Sequence, residues 1–546
     1  MKQNIKKKNM FDDSSEEMIK QIKKLREVDC FDWANASQHQ DGVAINAELI
    51  LPLNSSKTQK APSLEMLTVK SQNAVAFSTH ISGGRTCFLD QNIAALSKST
   101  TRPNLYIVDS DRDLYIRHAK TLKQNGYDVY LLDFNDAKNS DRWNPYAPLI
   151  WRIKLIRELE TELENKDGKY YGIGEMFTTY KDVRARIKEL KSELYDFICI
   201  ITDVLYNTDM KFDENVVAKA KQIISAFTLA MCEDCISSKL GTAQLVTINL
   251  LSNFTLFSRG EAKEMISYLT EKRDRHSRVK HIVKDILTPL SDSDKEDVFM
   301  IAERLIKANI PYELGVLTSE DVIELYKESE HPKAVFVIQP EQDSFMGGYV
   351  TLFLSQAYSC NTEMAEAASR QILYVKPESV RPNYFIINGY RNLPDIEFNS
   401  DSFGLEDDEH KLILVSKSYR QLLAKYGESF ANWMKYNCMV KLFLSVDDME
   451  SRNEYRELCC VSEGNETEDD YVQSFKEMEL FDKVRGVGNA VVSVLMKPPF
   501  ITRFTSSETL TNVYYPAGEI EITEPEGLYL DKRVGFDITR YLHPEE

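Results

Sequence analysis

Short runs of apolar residues, each the length of a β-strand and flanked by polar or turn residues, recur along this sequence. Eight such runs lie at 73–77, 105–109, 129–134, 334–340, 384–388, 412–416, 440–446 and 490–496. They are apolar almost throughout rather than alternating, as strands covered on both faces require. Helical patterns lie between them, such as 116–126 and 418–427, and each of these two ends at a glycine suited to a helix C-terminus. Strand and helix alternating in this way predict an α/β fold with a mostly parallel, doubly wound sheet.

One long interval, residues 151–325, breaks this alternation. It carries charged stretches and apolar residues at helical spacing, for example at 181–206 and 217–231, and no convincing strand-like run. We therefore predict an all-α domain inserted between the third and fourth strands of a discontinuous sheet domain. The predicted segments are an N-terminal appendage without a transmembrane helix (1–70), the first part of the sheet domain (71–150), the inserted all-α domain (151–325), the second part of the sheet domain (326–506) and an acidic C-terminal tail (507–546).

Composition and charge narrow the classes of function. The 546 residues include 67 Lys and Arg against 85 Asp and Glu, a net charge of −18. An acidic surface repels phosphates and so disfavours broad wrapping of nucleic acid, although a local basic track stays compatible with it. No window approaches the roughly 18 to 20 apolar residues of a membrane span, and the basic-then-acidic N-terminus lacks a secretory signal. These features predict a cytoplasmic protein.

Cysteine usage agrees with a reducing compartment. The nine cysteines are odd in number and scattered, which does not form a disulfide framework. One tight pair, Cys232 and Cys235, lacks a second pair or a nearby histidine at zinc spacing. We therefore predict no metal site.

The loop after the first predicted strand is where a parallel α/β sheet usually binds phosphate, because backbone N–H groups and a helix N-terminus converge there. Set against the P-loop pattern, this loop offers the candidate nucleotide-binding residues Thr79, Gly83, Gly84, Arg85 and Thr86. Thr79 stands where the pattern has glycine, and Arg85 stands where it has lysine. Taken alone, the loop fits an ordinary strand-to-helix turn better than a phosphate site.

The flanking sequence alters that interpretation. Residues 104–149 contain Asp109 at a strand end, a Gly-Tyr-x-Val step, and then Ser-Asp-x-Trp-Asn-Pro at 140–145. In this order they resemble the segment after the P-loop in type IV secretion system coupling proteins, the TraG/TraD-like conjugative DNA-transfer ATPases. The likeness continues through 381–396, 412–448 and 488–504, and so covers roughly residues 71–505.

The resemblance implies a RecA-like P-loop NTPase fold, and its departures bear on chemistry. The family's Walker B Asp-Glu pair falls on Asn388 and Gly389, and its sensor glutamine falls on Lys417. ATP hydrolysis needs a phosphate-binding cation, a carboxylate for Mg²⁺ and a group that orients water. All of these positions are altered, so we predict no catalytic residue and no required cofactor. Binding of ATP and Mg²⁺ through the remaining loop residues stays an alternative.

A basic segment within this acidic chain is a candidate contact for DNA or an acidic partner. Its cations are Lys272, Arg273, Arg275, Arg278, Lys280 and Lys284. A solvated helix face is the alternative interpretation.

Three functions follow from these predictions. The first is a non-catalytic homologue that recruits relaxase-bound DNA or an effector protein, or assists an active coupling ATPase. The second is a working DNA-translocating ATPase with unusual motifs, and the third is a regulator repurposed away from secretion. The resemblance implies type IV secretion partners and a hexamer as the candidate oligomer. Because the sequence has no window of membrane-spanning length, we expect recruitment to the inner face of the membrane by a partner rather than insertion.

Overall fold

The fold was determined as a computed structural model. It describes residues 30–32, 48–53, 65–70, 73–78, 84–164, 170–171, 176–177, 179–206, 212–257, 262–327, 329–340, 346–369, 381–391, 393–394, 403, 407, 409–445, 448–451, 453–454, 488–494 and 500–504. Within these ranges no helix is long and apolar enough to cross a membrane.

The strands form one large sheet and two small ones. In chain order they are β1 Cys30–Asp32, β2 Glu48–Leu53, β3 Glu65–Lys70, β4 Ala74–Ser78, β5 Asn104–Asp109, β6 Asp128–Asp133, β7 Tyr170–Tyr171, β8 Met176–Phe177, β9 Lys333–Ile338, β10 Asn383–Gly389, β11 His410–Ser416, β12 Val440–Ser445, β13 Gly488–Val494 and β14 Phe500–Phe504. The large sheet has the order β14-β13-β12-β4-β11-β10-β5-β9-β6. All eight predicted strands are confirmed as members of it.

The helices are numbered here in chain order. They are α1 Gly84–Lys98, α2 Asp113–Gln124, α3 Ala147–Glu164, α4 Tyr180–Leu205, α5 Glu214–Ile236, α6 Thr247–Phe257, α7 Ala262–Thr270, α8 Arg278–Leu287, α9 Asp292–Asn309, α10 Tyr312–Leu317, α11 Gly347–Ser369 and α12 Tyr419–Asn437. Capping boxes start two of them: Thr179 with Asp182 before α4, and Ser291 with Asp294 before α9.

The predicted sheet is mostly parallel, as its apolar runs required. Strands β12, β4, β11, β10, β5 and β9 pair in parallel, whereas β13 and β14 add antiparallel partners beyond β12. Every residue of β4, β9 and β11 is buried. One strand, β11, lies between β4 and β10, and this order makes the fold a RecA-like α/β NTPase fold.

The chain divides into two compact units. The first comprises Met1–Tyr130, Glu330–Ile338 and Arg381–Ile522, and the second Leu131–Ser329, Gln339–Val380 and Thr523–Glu546. The predicted all-α interval, 151–325, lies inside the second unit. Its described residues are helical apart from short turns and the two-residue strands β7 and β8. The second unit also takes in 131–150 and 339–380, so it is larger than the predicted insertion.

Two glycines were expected to end helices, and both have a left-handed backbone. Gly126 follows α2 with a left-handed backbone, φ 77°, and ends that helix as predicted. Gly427 also has positive φ, at 79°, but α12 resumes beyond it and continues to Asn437. The helical segment before Gly427 therefore ends at this glycine as predicted, and a second helical segment, in which Ala431 and Met434 are buried, follows across a kink.

Candidate functional site: the carboxyl edge of the sheet

The predicted phosphate loop connects β4 to α1. Thr79 and Gly83 lie outside the described residues, as does the side chain of Arg85. Gly84 is the first residue of α1, and Thr86 lies in its first turn with a partly exposed side chain. The strand-to-helix step is therefore where the sequence predicted it.

Asp109 and Asn388 meet at the carboxyl edge, at the ends of the neighbouring strands β5 and β10. Asn388 Nδ2 donates a hydrogen bond to Asp109 Oδ1 over 2.9 Å. The Asp109 carboxylate also accepts from the backbone N–H groups of Ser110, at 2.9 Å, and Leu114, at 3.0 Å, so it fastens the start of α2. Burial raises the pKa of Asp109, nearby Asp111 raises it further, and the three donors oppose the rise.

This contact explains why residue 388 is a neutral amide. A carboxylate only accepts hydrogen bonds, so the amide nitrogen of Asn388 must face Asp109. An aspartate at 388 would bring a second carboxylate to the same distance from a fully buried one, and like charges at that range disfavour ionisation of both. The amide nitrogen of Asn388 is thus engaged by Asp109 within the fold.

Gly389, where the related motif has its catalytic glutamate, has no room for a side chain unless Leu393 shifts. A Cβ built on Gly389 would overlap Leu393 Cδ2 and lie 3.0 Å from the carbonyl oxygen of Val415. Leu393 is itself buried, at 2% exposure. An apolar side chain therefore occupies the position of a Cβ at residue 389.

Gln421, which sequence reasoning missed, joins the ends of β10 and β11. Its Nε2 donates to the carbonyl oxygen of Gly389 over 3.1 Å, and its Oε1 accepts from Ser416 Oγ and from the Lys417 backbone N–H, both at 2.8 Å. Lys417, the predicted sensor position, is exposed. The Ser418-x-x-Gln421 spacing marks a helix start, and Ser418 does cap α12, but spacing alone does not indicate that the glutamine turns back onto the sheet.

A buried ion-pair cluster joins α1 to α2 near this edge and was also missed. His118 Nε2 lies 2.7 Å from Asp90 Oδ1, and Arg117 Nε donates to the same oxygen over 3.1 Å. His118 and Asp90 are 1% and 3% exposed. The partners are 28 residues apart in sequence, so no local pattern could have paired them.

The Ser-Asp-x-Trp-Asn-Pro segment fastens the chain after β6. Ser140 Oγ accepts from the backbone N–H of Asp133 over 2.8 Å, and Asp141 Oδ2 accepts from the backbone N–H of Leu131 over 2.7 Å. Trp143 is fully buried, with its ring edge-on to Phe353 at 5.3 Å. These contacts are structural.

Asn144 and Pro145, the last two residues of the motif, form further buried hydrogen bonds within the second unit. Asn144 Nδ2 donates to the carbonyl oxygen of Leu245 over 2.8 Å, and the carbonyl oxygen of Pro145 accepts from Gln356 Nε2 over 2.8 Å. Both bonds are buried. The motif therefore holds α3 against distant helices rather than a ligand.

The six cations of the predicted basic contact differ in burial: Arg273 lies inside the helical bundle, whereas the other five do not. Arg273 is only 8% exposed and pairs with Asp234 through two bonds, Nη1 to Oδ1 at 2.8 Å and Nη2 to Oδ2 at 2.7 Å. Tyr268 also donates its hydroxyl to Asp234 Oδ2 over 2.7 Å. Burial therefore removes Arg273 from the candidate contact, and its charge is used inside the bundle.

The other cations of the segment remain at the surface. Lys272, Arg275, Arg278 and Lys284 are exposed, and Lys280 is half-buried. The guanidinium of Arg278 lies 3.8 Å from the ring centroid of Tyr195, which holds it flat by a cation–π contact. The exposed basic surface is thus smaller than the sequence suggested, and it starts at the N-terminus of α8.

Cys232 and Cys235 lie buried on α5. Burial raises the pKa of Cys232 well above that of a free thiol and that of Cys235 to about 12. Cys235 Sγ points to the carbonyl oxygen of Gly241 at 3.7 Å. Both groups are neutral thiols at physiological pH, and within the described part of the chain no cluster of three metal-ligating side chains occurs.

Comparisons with known proteins give structural matches only. No protein-family profile matches the sequence, and no curated protein matches it. A bacterial conjugative coupling protein, TrwB, solved in complex with sulphate, matches with 10% identity and a TM-score of 0.46, over 79% of this chain and 85% of that one. TrwB with ADP and Mg²⁺ matches with 9% identity and a TM-score of 0.44, over 83% and 88%. VirB4 of Thermoanaerobacter pseudethanolicus matches with 10% identity and a TM-score of 0.39, over 86% and 97%.

Proposed function

We propose that this chain is a catalytically inactive homologue of the type IV secretion coupling proteins, acting in recruitment of substrate or in support of an active coupling ATPase. The ordered motifs between residues 71 and 505 and the RecA-like strand order support the family assignment. The single observation that carries the inactivity is the crowded position at Gly389, which has no side chain and where Leu393 Cδ2 occupies the place of a Cβ.

The neighbouring positions support the same proposal. Asn388 offers an amide in place of a carboxylate, and that amide is engaged by Asp109. The side chain of Gln421 is held by Gly389, Ser416 and Lys417 rather than free to contact a γ-phosphate. Loss of a general base alone costs about 10²–10⁴ in rate. An altered metal position adds to that loss.

We expect no ATP turnover above background in the full-length protein at millimolar Mg²⁺-ATP, with or without single-stranded DNA. Phosphate release would be measured over hours, with binding followed separately by a fluorescent ATP analogue. The matched control is Thr86→Ala, which should leave both signals unchanged. Steady hydrolysis that disappears in Thr86→Ala would show a working ATPase and refute the proposal.

For recruitment, the exposed cations around α8 are the proposed contact. Charge reversal in the double variant Arg275→Glu, Arg278→Glu is expected to weaken binding of a short single-stranded DNA by about tenfold or more at low salt, because each cation releases counterions on contact. Fluorescence anisotropy would measure it, and affinity should fall steeply with added salt.

The control for that experiment is a double reversal of exposed lysines elsewhere in the second unit, Lys181→Glu with Lys239→Glu. It has the same net charge change, so it separates a local contact from general repulsion. Equal loss in both double variants would exclude a specific DNA contact at α8. If neither double variant changes DNA binding, these cations do not bind DNA, and a protein becomes the proposed partner for recruitment.

A further inference from the structure

Two arginines emerge side by side at the amino edge of the sheet, the edge opposite the candidate nucleotide site. Asn104 on β5 and Asn383 on β10 are register partners, and Arg102 and Arg381 each precede one of them by two residues. The backbone N–H of Asn104 donates to the carbonyl oxygen of Pro382 over 2.9 Å, which extends the pairing toward the arginines. Neighbouring strands lie about 4.8 Å apart. The two side chains therefore start from adjacent positions.

Arg102 is held in place by its surroundings. Its backbone is left-handed, φ 43°, and its N–H donates to the carbonyl oxygen and the Oγ of Ser99 at 3.3 and 3.1 Å. Its guanidinium donates to the carbonyl oxygen of Asn125 and lies 5.6 Å from the ring centroid of Tyr127. A Cβ on Gly126 would lie 2.8 Å from Arg102 Nη2, so the glycine leaves the space that the guanidinium uses.

Arg381 is half-buried and only partly satisfied. Its Nη2 donates to the carbonyl oxygen of Glu330 over 2.9 Å, while its Nε is buried and has no acceptor among the described residues. No described carboxylate forms an ion pair with either arginine. Burial and the charge of Arg102 lower the pKa of Arg381, and both charges act on the buried hydroxyl of Tyr127.

Two neighbouring guanidinium groups repel each other, and an anion between them would turn that repulsion into attraction. A guanidinium matches phosphate oxygens with paired N–H donors, and an unmet buried donor gains most from a charged acceptor. A single carboxylate would neutralise one charge, whereas a phosphate dianion neutralises two. We propose that Arg102 and Arg381 together bind a phosphate dianion, either inorganic phosphate or a phosphate monoester.

Isothermal titration of the full-length protein with inorganic phosphate at low ionic strength tests this site. We expect Arg381→Gln to weaken phosphate binding by about tenfold or more, as loss of a charge-assisted hydrogen bond implies. The exposed Arg420 on α12 provides the matched control, and Arg420→Gln should bind as the unmodified protein does. Phosphate held at the loop after β4 would be insensitive to Arg381, so equal binding in the two variants would overturn the proposal.

A parallel titration with O-phosphoserine distinguishes the two sources of the dianion. Binding of both ligands that depends on Arg381 supports a site open to monoesters, and binding of inorganic phosphate alone supports a closed one. No binding of either ligand would overturn the proposal.

Unfolding in urea gives a second, independent measurement. Without phosphate, Arg381→Gln should unfold at the same or a higher urea concentration, because the substitution relieves repulsion. Added phosphate should then raise the midpoint of the unmodified protein and of Arg420→Gln but not of Arg381→Gln. A midpoint that rises equally in all three proteins would contradict the assignment.

Discussion

Substitution of Gly389 by glutamate is expected to destabilise the protein and to leave it without ATPase activity, although it restores the acidic residue of the related motif. Any Cβ at this position overlaps Leu393, and overpacking costs about 1–3 kcal/mol. The carboxylate would also enter the buried region next to Leu393 and Val415, which adds the cost of an unpaired buried charge. We expect a total loss of about 3 kcal/mol or more in the free energy of unfolding, measured by urea denaturation followed by circular dichroism.

A pair of alanine variants isolates the steric part. Gly389→Ala meets Leu393, whereas Gly241→Ala introduces the same methyl group where nothing lies within 4 Å. The first should be clearly destabilised, and the second should change stability by less than about 0.5 kcal/mol. Adding Leu393→Ala to Gly389→Ala should recover part of the loss as a coupling between neighbours. If Gly389→Glu folds normally and hydrolyses ATP, the closed-site interpretation is wrong.

Substitution of Asp234 by alanine is expected to lower the free energy of unfolding by about 3 kcal/mol, since it removes both hydrogen bonds of the buried Arg273 to Asp234 and leaves only Glu233, 3.7 Å from Arg273 Nη1, as a counter-charge. Tyr268 would lose its hydroxyl acceptor as well. Both side chains of the ion pair are no more than 5% exposed, so water cannot replace the missing carboxylate. The measurement is again urea denaturation, followed by the circular dichroism of the helices.

The control is an exposed pair in the same unit, Lys191 with Glu160, whose side chains are 46% and 38% exposed. Glu160→Ala should cost less than about 1 kcal/mol, as surface pairs do. Joint replacement by Asp234→Leu and Arg273→Met should recover much of the loss, because it removes both buried charges. Equal effects of Asp234→Ala and Glu160→Ala would show that Arg273 is hydrated, and would return it to the candidate contact surface.

Much of the fold could be predicted because a β-strand that is buried on both faces has a nearly continuous run of apolar residues. A strand such as 334–338 must be apolar throughout when both faces are covered, and its residues are all buried. The order of strands in the sheet was supplied by the motif resemblance rather than by the pattern, since an apolar run does not identify its neighbour. The helical segment beyond Gly427 was not predicted, because it is stabilised by burial of residues such as Ala431 and Met434 in the folded chain.

The candidate site was predictable in position but not in content. The motif order placed residues 388, 389 and 417 at strand ends. Asn388 and Gly389 are the last two residues of β10, and Lys417 directly follows β11. Leu393 filling the space beside Gly389, and Gln421 reaching back across two strands, depend on contacts 4 and 32 residues away along the chain. No local spacing rule describes such contacts.

The sequence by itself determined the strand and helix segments, the absence of the motif's acidic pair and the presence of a basic segment, because each of these is a matter of residue type and local period. The tertiary structure alone decided what those residues do. Arg273 and Arg275 are two residues apart and chemically identical, yet one is paired inside a helical bundle and the other is exposed. Burial and partner choice set the energetic role of a charge, and both are properties of the folded chain.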